Sequence, residues 1–516
     1  MINRRNFIKG LSTIGLSSTL FAKKASNNIK LSLYEDEMSI GHKLRDPKII
    51  KDALLNTKDI LHTDTLIAGG GVAGLNCARL LSKDKRDFLL LDPANEMGGT
   101  SASMPFSKHQ LPSGAHYIIT ANNYAKDLID FYVESNIITG FDNDLAIYNN
   151  DYIVTDTDSK ERSLHDDSWT LEIGEYLNRP SKKLKKFKSF CRFLSTLKGS
   201  DNKLWFALPT QFSSKDKKSM SLFHLDFISY LKQNDMWDSE VEYVVNYACM
   251  DDYGCLAHEV SAWVGLHYFC CRDQNRSHYT LSSSKGNGFL IDIFLKNIPS
   301  KNLSTKSLLA YSIKENGLHK SLIFKDNQFY FIYSKHLVFA GKSHVIPYIF
   351  PQNPKVKTQK QVPWLVTQLN FQLPDNYPLS YLCWDNIRKD SDSVGYIASN
   401  YFQKEFKNPL LLTHFFPTQA FAKLSSKDLY KLSKKQLMNL VLDDFEQISP
   451  ELIPYLKSMC FKRIGHAMGL CPKGYILPSL QNKNQNSIVL ANSDSYGLPL
   501  FEEAFQAGVN AYNAIS

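Results

Sequence analysis

The nine cysteines include no Cys-x-x-Cys pair, and no stretch is apolar and long enough to cross a bilayer as an ordinary helix. An odd cysteine count in a chain of 516 residues does not describe a disulfide scaffold, so we expect most cysteines to be small core residues. The histidines and acids lack the spacing of metal ligands, and we predict no metal site. The sequence also has no internal repeat and no low-complexity tract. These absences indicate a globular chain. Export would bring it into an oxidising compartment, where one or two disulfides could form, with a pairing that the sequence does not determine.

Acidic charge is in the minority, and the net charge is +9. The basic residues lie in short runs, for example the five lysines within residues 182–188. We interpret that run as the solvated face of a helix; a patch for nucleic acid or anionic lipid is the alternative. No nucleic-acid motif accompanies it, so we predict no nucleic-acid partner. With 43% hydrophobic and 22% charged residues, the chain has a globular composition that predicts a sizeable core and two to four domains.

The N-terminus has the features of a targeting signal. Residues 3–9 read Asn-Arg-Arg-Asn-Phe-Ile-Lys, and residues 10–22 are modestly apolar and rich in Ser, Thr and Gly. This pattern resembles the twin-arginine export signal. The resemblance implies that residues 1–26 are a signal segment, that the twin-arginine translocase is a partner, and that the folded protein reaches the periplasm. No small-x-small triplet closes the segment, so an uncleaved signal that anchors the protein in the membrane stays open, as does a basic tail that anchors nothing.

Residues 64–92 predict a strand, a glycine-rich turn, a helix and a second strand. Gly69, Gly71 and Gly74 form a Gly-x-Gly-x-x-Gly pattern. The first glycine permits the tight turn, the second lets the backbone approach a pyrophosphate, and the third lets helix and strand pack closely. Asp92 ends the second strand, where its carboxylate would accept the ribose hydroxyls. The segment predicts dinucleotide binding; the alternative is a glycine-rich turn in an ordinary α/β unit.

The residues that follow favour FAD over NAD. Glu96-Met-Gly98-Gly99-Thr100 resembles the second FAD motif of the flavin-containing amine oxidase and phytoene desaturase superfamily, although Glu96 and Thr100 stand where basic residues are usual. Residues 111–117 resemble that superfamily's short segment beside the flavin, which implies that Gly114 and Ala115 contact the cofactor.

The C-terminal residues supply a further match. Residues 487–508 read strand, acid and helix and resemble the closing segment of the same superfamily, which implies that Asp494 and Glu503 contribute to the FAD site. Residues 334–341 resemble the strand that completes the FAD domain, and Leu308 lies near the strand whose backbone meets the adenine. These matches, in this order along the chain, predict FAD as the cofactor.

The resemblance implies an α/β fold, with a Rossmann-like FAD-binding domain and an inserted α+β substrate domain. The predicted parts, in chain order, are a signal segment at 1–26, FAD-binding parts at 27–122, 301–350 and 456–516, and substrate-domain parts at 123–300 and 351–455.

A flavin carries out hydride transfer itself, so the protein must place a small-molecule substrate against N5 and exclude water. We predict that His466 is the catalytic side chain beside the ring, because the stretch that contains it precedes the C-terminal FAD segment. The alternative is a structural histidine bonded to backbone. Amine oxidases often have a lysine behind N5, but residues 364–371, where it would lie, contain none, so oxidation by oxygen is in doubt. Cys471 is a minor candidate for covalent flavin attachment.

Aromatic and acidic residues in the middle of the chain are candidates for substrate binding. A carboxylate pair near tryptophan could hold a cationic amine by charge and cation–π contact. The alternative is aromatic core with capped loops. The candidates are Asp251, Asp252, Trp263 and Trp384.

These features predict an exported FAD-dependent oxidoreductase that oxidises an amine or a similar small substrate, with an unknown electron acceptor. One alternative is a dehydrogenase or isomerase similar to phytoene desaturase, and another is a flavin-binding exported protein without turnover.

Overall fold

The computed structural model describes residues 29–35, 39–154, 161–165, 168–170, 180–272, 280–352, 359–375, 377–378, 383–389, 391–402, 408–420, 422–481 and 488–516. The predicted signal segment at 1–26 lies outside these residues, and export stays a prediction. Within the described part of the chain, no helix has the length and apolarity needed to span a membrane. The strands are β1 Lys30–Leu33, β2 Ile60–Ala68, β3 Phe88–Leu91, β4 Ser103–Phe106, β5 His109–Pro112, β6 Ile118–Ile119, β7 Ile138–Asp142, β8 Leu145–Tyr148, β9 Ile153–Val154, β10 Glu161–His165, β11 Ser168–Thr170, β12 Thr280–Leu281, β13 Leu303–Ser304, β14 Ser307–Glu315, β15 Leu318–Lys325, β16 Gln328–Phe339, β17 Gln361–Phe371, β18 Asp385–Arg388, β19 Tyr396–Ala398, β20 Leu410–Phe416, β21 Leu456–Gly469 and β22 Val489–Leu490. The helices are α1 Ser39–Lys43, α2 Pro47–Asn56, α3 Val72–Lys83, α4 Lys126–Glu134, α5 Lys182–Leu194, α6 Lys217–Ser221, α7 Phe227–Gln233, α8 Ser239–Tyr253, α9 Ala262–Cys270, α10 Gly288–Lys296, α11 Ile346–Ile349, α12 Ser426–Lys431, α13 Lys434–Ile448 and α14 Phe501–Ile515.

A seven-stranded sheet contains the predicted dinucleotide-binding unit. Its order is β13-β3-β2-β16-β15-β14, and β22 also pairs with β16. The ladders among β13, β3, β2, β16 and β22 are parallel, whereas β14, β15 and β16 form an antiparallel meander. Asp326 and Asn327 connect β15 to β16 with φ of 49° and 61°, the positive values that a two-residue hairpin loop requires. The predicted Rossmann-like unit is confirmed.

The C-terminal helix α14 packs on α3, the helix that follows the glycine-rich turn. Gly508 lies at the contact: a Cβ there would be 2.5 Å from the carbonyl oxygen of Ala73 and 3.0 Å from Cβ of Asn76. The Asn76 side chain donates a hydrogen bond to the carbonyl oxygen of Phe505 over 2.9 Å. The end of the chain therefore returns to the first glycine-rich unit.

An eight-stranded sheet, in the order β1-β21-β17-β20-β19-β18-β10-β11, forms the second large layer. Side chains of β17 alternate between its two faces: Leu365 and Leu369 pack against α13, while Trp364 and Val366 face the opposite side. The sequence-based division places β1 and β21 in the FAD-binding parts at 27–122 and 456–516. The structure places both strands in the eight-stranded sheet instead, because β21 forms continuous ladders with β17 and with β1.

Helices α5 to α9 form a separate core beside this sheet. The N-termini of α5, α8 and α9 are capped by the side chains of Ser181, Asp238 and Ser261, which accept hydrogen bonds from backbone N–H groups of the first turn. α8 ends at Gly254, whose φ of 67° closes the helix in the left-handed conformation. Asp251 and Asp252, in the last turn of α8, line a cavity beside the eight-stranded sheet.

We expect Gly508→Ala to lower the free energy of unfolding by about 1–3 kcal/mol, the usual cost of overpacking. The new methyl group would push α14 away from the Ala73 backbone, although alanine favours a helix over glycine by about 1 kcal/mol. Urea unfolding of the purified protein measures the change. Gly41→Ala in α1 is the matched control, because no atom lies within 4 Å of its added Cβ. A Gly508→Ala protein as stable as wild type would contradict the close approach of α14 and α3.

Candidate functional site

The glycine-rich turn between β2 and α3 is built from backbone contacts that a side chain would prevent. Gly69 has a φ of 122°, and a Cβ there would be 2.6 Å from the backbone carbonyl carbon of Ala340, the residue that follows β16. A Cβ on Gly74 would be 1.9 Å from the carbonyl oxygen of Gly69. Around Gly71, in contrast, no atom would lie within 4 Å of an added Cβ, so open space faces the first amide groups of α3. The first and third predicted glycines therefore close the turn, and the second borders a space.

Asp92 lies at the carboxyl end of β3, next to the same turn. Its carboxylate accepts hydrogen bonds from the backbone N–H of Gly70 over 2.6 Å and of Ala94 over 2.8 Å. Its own backbone bonds to Ser304 and Ser307, which flank the start of β14, and the predicted Leu308 follows there. Asp92 thus organises the turn, and its predicted contact with a ribose would add to these bonds, since a carboxylate has about four acceptor positions.

The predicted second motif lies against the first. The N–H of Gly98 donates to the carbonyl oxygen of Gly70 over 2.7 Å. Gly99 follows with a φ of 58°, and the carbonyl oxygen of Thr100 accepts from the N–H of Ala115 over 2.8 Å. A Cβ on Gly114 would be 2.4 Å from that same oxygen. Three segments that are separate in the sequence, the glycine-rich turn, residues 98–100 and residues 114–115, therefore form one continuous backbone surface. We call it the glycine surface.

The two C-terminal acids occupy different surroundings. Asp494 Oδ2 accepts from the backbone N–H and the hydroxyl of Ser343 over 3.0 and 2.9 Å. Burial acts to raise the pKa of Asp494, but Lys342 and the Ser343 hydrogen bonds hold it below its usual value. Glu503 is fully buried in the first turn of α14 and accepts from the N–H and hydroxyl of Thr210; burial raises its pKa to about 8. Glu503 thus ties α14 to the helical core, and its predicted cofactor contact stays a prediction.

One cavity lies between the glycine surface, the eight-stranded sheet and the end of α8. The loops at Thr100 and at Gly114–Ala115 form one wall, and the N-terminus of α14 forms another. Leu500, the residue before α14, provides no side-chain cap, and the Glu502 carboxylate accepts a hydrogen bond from its own backbone N–H in the first turn of the helix. The cavity is lined by Thr100, Gly114, Ala115, His116, Tyr117, Ile118, Ile119, Leu208, Asp251, Asp252, Cys271, Arg272, Asn287, Trp364, Val366, Phe415, Ile464, Ala467, Met468, Pro499, Leu500, Phe501 and Glu502.

Charged groups concentrate at one end of this cavity. The hydroxyl of Tyr117 donates to Oδ2 of Asp251 at 2.6 Å and lies 3.1 Å from Oδ1 of Asp252. The Arg272 guanidinium is 3.9 Å from Oδ2 of Asp252. Glu502, in the first turn of α14, completes the group. With every group ionised, three carboxylates face one guanidinium, so this end of the cavity is negative.

Burial changes the protonation of these acids. It raises the pKa of Asp252, although Arg272 and Tyr117 oppose the rise. Burial also raises the pKa of Glu502 to about 7; Asp252 adds to the rise, whereas backbone N–H donors and Arg272 oppose it. The charge of the cavity therefore changes near neutral pH, where Glu502 is partly protonated. Buried, charge-coupled acids in a cleft are typical of binding and catalytic sites.

The other walls are aromatic and aliphatic. Trp364 and Phe415 line the cavity, and the His116 ring stacks on Phe415 with ring centroids 4.3 Å apart. Burial lowers the pKa of His116 to about 3, so this ring is neutral. The predicted Trp384 is not part of the lining but packs edge-on against Tyr117, with centroids 6.3 Å apart.

The structure does not place the predicted Trp263 near this cavity. Trp263 is fully buried in the helical core, where its Nε1 donates to the hydroxyl of Ser219 and its ring stacks on Phe223 at 5.0 Å. It contributes to the packing of α9 against the neighbouring helices, and the alternative of aromatic core applies to it. Trp263 and the acid pair are close in the sequence, and the sequence alone did not indicate that the fold separates their side chains.

His466 lies on β21 but outside the lining of the cavity, which its neighbours Ile464, Ala467 and Met468 provide. Its ring centroid is 4.1 Å from that of His344. Burial and the nearby cations, among them Lys342, lower its pKa. A catalytic role for His466 stays a prediction, and the geometry favours a place in a basic cluster beside Asp494.

A lysine does reach the glycine surface, from the strand next to β17. Lys462 of β21 is directly opposite Val366 in the ladder, and Val366 lines the cavity. Opposed side chains in an antiparallel pair share a face. The ammonium group of Lys462 donates to the Ser113 hydroxyl over 3.0 Å, one residue before Gly114.

Several cavity residues have no distinctive sequence pattern. Arg272 follows an apolar helix, and Trp364 and Phe415 belong to buried strands whose apolar runs predict only core. Glu502 adjoins the predicted Glu503, but helical geometry directs the two neighbouring side chains differently. Tyr117 lies in residues 111–117, which resemble the segment beside the flavin, but that resemblance implied no role for Tyr117 itself. Their assembly depends on contacts between residues more than a hundred positions apart.

No curated protein matches the chain by sequence. Residues 67–134 match the family model described as the NAD(P)-binding Rossmann-like domain.

Solved structures match along most of the chain. Wild-type putrescine oxidase bound to putrescine is 11% identical, with a TM-score of 0.63, covering 88% of this chain and 99% of that chain. Cyclohexylamine oxidase from Brevibacterium oxydans IH-35A is 11% identical, with a TM-score of 0.61 and coverage of 89% and 99%. A candidate protoporphyrinogen oxidase from Exiguobacterium sp. 255-15 is 13% identical, with a TM-score of 0.58 and coverage of 88% and 98%. The chain therefore has the fold of these oxidases, which confirms the predicted α/β class with a Rossmann-like unit and an inserted α+β domain.

Proposed function

We propose that the protein is an FAD-dependent oxidoreductase that oxidises an amine in the cavity described above. The proposal rests on one observation: two features meet in the same cavity. The backbone surface of Thr100, Gly114 and Ala115 forms one wall, and the Asp251–Asp252 pair lies at the charged end. The fold neighbours include proteins named as amine oxidases, which supports the same conclusion.

The residues present fit a dinucleotide cofactor. The space next to Gly71 is one that a Cβ would fill, and it faces the N-terminus of α3, where amide groups and the helix dipole favour phosphate. Asp92 and Asp494 lie at the carboxyl ends of the parallel strands, where ligands of such sheets bind. The uncapped N-terminus of α14 would face the ring end of the cofactor and favour negative charge there.

Bound FAD would supply the oxidising chemistry, by accepting a hydride from the substrate carbon next to nitrogen. The chain's own residues bind and orient that substrate. The Asp251–Asp252 pair attracts an ammonium group, and the faces of Trp364 and Phe415 are suited to contact a cation. Tyr117 holds both carboxylates in place through its hydroxyl. The aliphatic walls exclude water, so these charges act in a medium of low dielectric constant.

Anaerobic mixing of the purified holoprotein with a panel of primary amines tests the proposal. We expect denatured protein to release a compound with the absorbance and mass of FAD, and we expect amines to bleach the bound flavin. Bleaching by apolar polyenes but not by amines would support the desaturase alternative. Release of NAD, or a flavin that no compound bleaches, would contradict the proposed reaction.

We expect Gly71→Val to fold and to purify without FAD. The backbone at Gly71 has a φ of −76°, which any residue adopts, and no protein atom lies within 4 Å of the added Cβ. The side chain would instead occupy the place of the pyrophosphate. Flavin absorbance per protein and the circular dichroism spectrum measure the two effects. Gly41→Val, at another open position, should retain FAD. A yellow Gly71→Val protein at full occupancy would disprove the cofactor position.

We expect a permanent cation, benzyltrimethylammonium, to bind more tightly as the pH rises through about 7, because Glu502 then loses its proton and adds negative charge to the cavity. The gain should be about tenfold, equivalent to about 1.4 kcal/mol. Titration calorimetry of the holoprotein measures it. Glu502→Gln, which stays neutral, should abolish the gain, whereas Glu134→Gln on the surface should keep it. A wild-type affinity that does not change with pH would refute the role of Glu502.

A further inference from the structure

Among the described residues that line the cavity, Arg272 is the one cation. Its central carbon lies 4.2 Å above the ring of Tyr268, which holds the planar group in one orientation. Its nearest carboxylate contact, to Oδ2 of Asp252 at 3.9 Å, is longer than a hydrogen bond. Within the described part of the chain, the buried Nε of Arg272 has no hydrogen-bond partner.

Such a donor needs an explanation, because nearly all buried polar groups in folded proteins are hydrogen-bonded. A guanidinium presents five N–H donors in a planar fork, and its geometry matches the two oxygens of a carboxylate. Stacking on Tyr268 removes much of the freedom of the side chain in advance, which lowers the entropic cost of binding an anion. The guanidinium of Arg272, whose Nε has no hydrogen-bond partner among the described residues, is therefore suited to a carboxylate that enters the cavity.

The charges around Arg272 restrict the class of ligand further. Asp252 lies on one side of the guanidinium, and the Tyr117 hydroxyl joins Asp252 to Asp251. The charged end of the cavity thus offers one positive group immediately next to two negative groups. A ligand with an ammonium and a carboxylate a few bonds apart would complement both, whereas a simple amine would leave the guanidinium without its partner.

We propose that the substrate is an amino acid, whose carboxylate is bound by Arg272 and whose ammonium group is bound by Asp251 and Asp252. This proposal rests on the proposed function, because it names the substrate class of the same cavity. It assigns Arg272 as the residue that determines specificity, and it separates amino acids from amines that differ only by the missing carboxylate.

The first experiment uses the wild-type holoprotein and matched pairs of compounds. Alanine, leucine, phenylalanine and lysine, in both enantiomeric forms, are each compared with the amine that remains after loss of the carboxylate. Anaerobic bleaching of the flavin is measured for each. We expect at least one amino acid to bleach the flavin at least tenfold more efficiently than its amine. Faster bleaching by the amines throughout would overturn the proposal while leaving the proposed function intact.

The second experiment measures binding and does not depend on turnover. Benzoate and neutral benzamide, which differ in the carboxylate, are titrated into the holoprotein by calorimetry. We expect Arg272→Gln to weaken benzoate binding by about 10- to 100-fold, the range for a hydrogen bond to a charged group, and to leave benzamide binding unchanged. Arg86→Gln is the matched control, because Arg86 has the same 24% side-chain exposure but pairs with Asp64 outside the cavity.

The Arg272→Lys variant is a control for a general effect of the substitution on folding. It keeps the positive charge but loses the planar fork, so we expect benzoate binding between that of wild type and Arg272→Gln, with FAD retained. Equal benzoate affinity in wild type and Arg272→Gln would overturn the proposal. If no compound of either class bleaches the flavin, the proposed oxidation fails, and the difference between benzoate and benzamide still decides whether Arg272 binds a carboxylate.

Discussion

The close approach of backbone to backbone around the glycine-rich turn is the constraint on which the rest of the structure depends. Gly69 lies against the end of β16, Gly74 lies against Gly69, and Gly508 brings α14 onto α3. Each contact joins segments that are held together without an intervening side chain, and each would be blocked by a single methyl group. Because no side chain separates them, the beginning, the middle and the end of the sequence meet beside the parallel strands of the seven-stranded sheet.

This constraint determines where the cavity lies. Once α14 is fixed against α3, its uncapped N-terminus and Glu502 must face the loops at Thr100 and Gly114. The eight-stranded sheet and the end of α8 then close the remaining sides. Acids that would be ordinary on a helix surface become buried and coupled here, which is why the pKa of Glu502 rises to about 7. The chemistry of the site thus follows from packing rather than from any single motif.

The sequence predicted the parts of the structure that have local causes. The pattern of residues 64–92 predicted strand, turn, helix and strand, since glycines and apolar periodicity act over a few residues. The predicted division at 456 did not agree with the sheets, because β21 belongs to the sheet with which its backbone forms hydrogen bonds, and no local signal specifies that partner. Trp263 was placed in the substrate pocket from its neighbours in the chain, but its neighbours in space are Phe223 and Ser219.

By itself, the sequence determined the dinucleotide-type turn, because its glycines and the apolar residues beside them act within a turn or two of chain. The fold class followed from the resemblance of several segments that are separate in the sequence. Only the tertiary structure decided which side chains surround the cavity. Arg272, Tyr117 and Glu502 meet the acid pair from three separate elements, and Lys462 reaches the glycine surface from β21, the strand that also carries His466. Long-range strand pairing and helix packing bring these groups together, and the physical reason is that burial depends on the whole fold while sequence patterns report only their own surroundings.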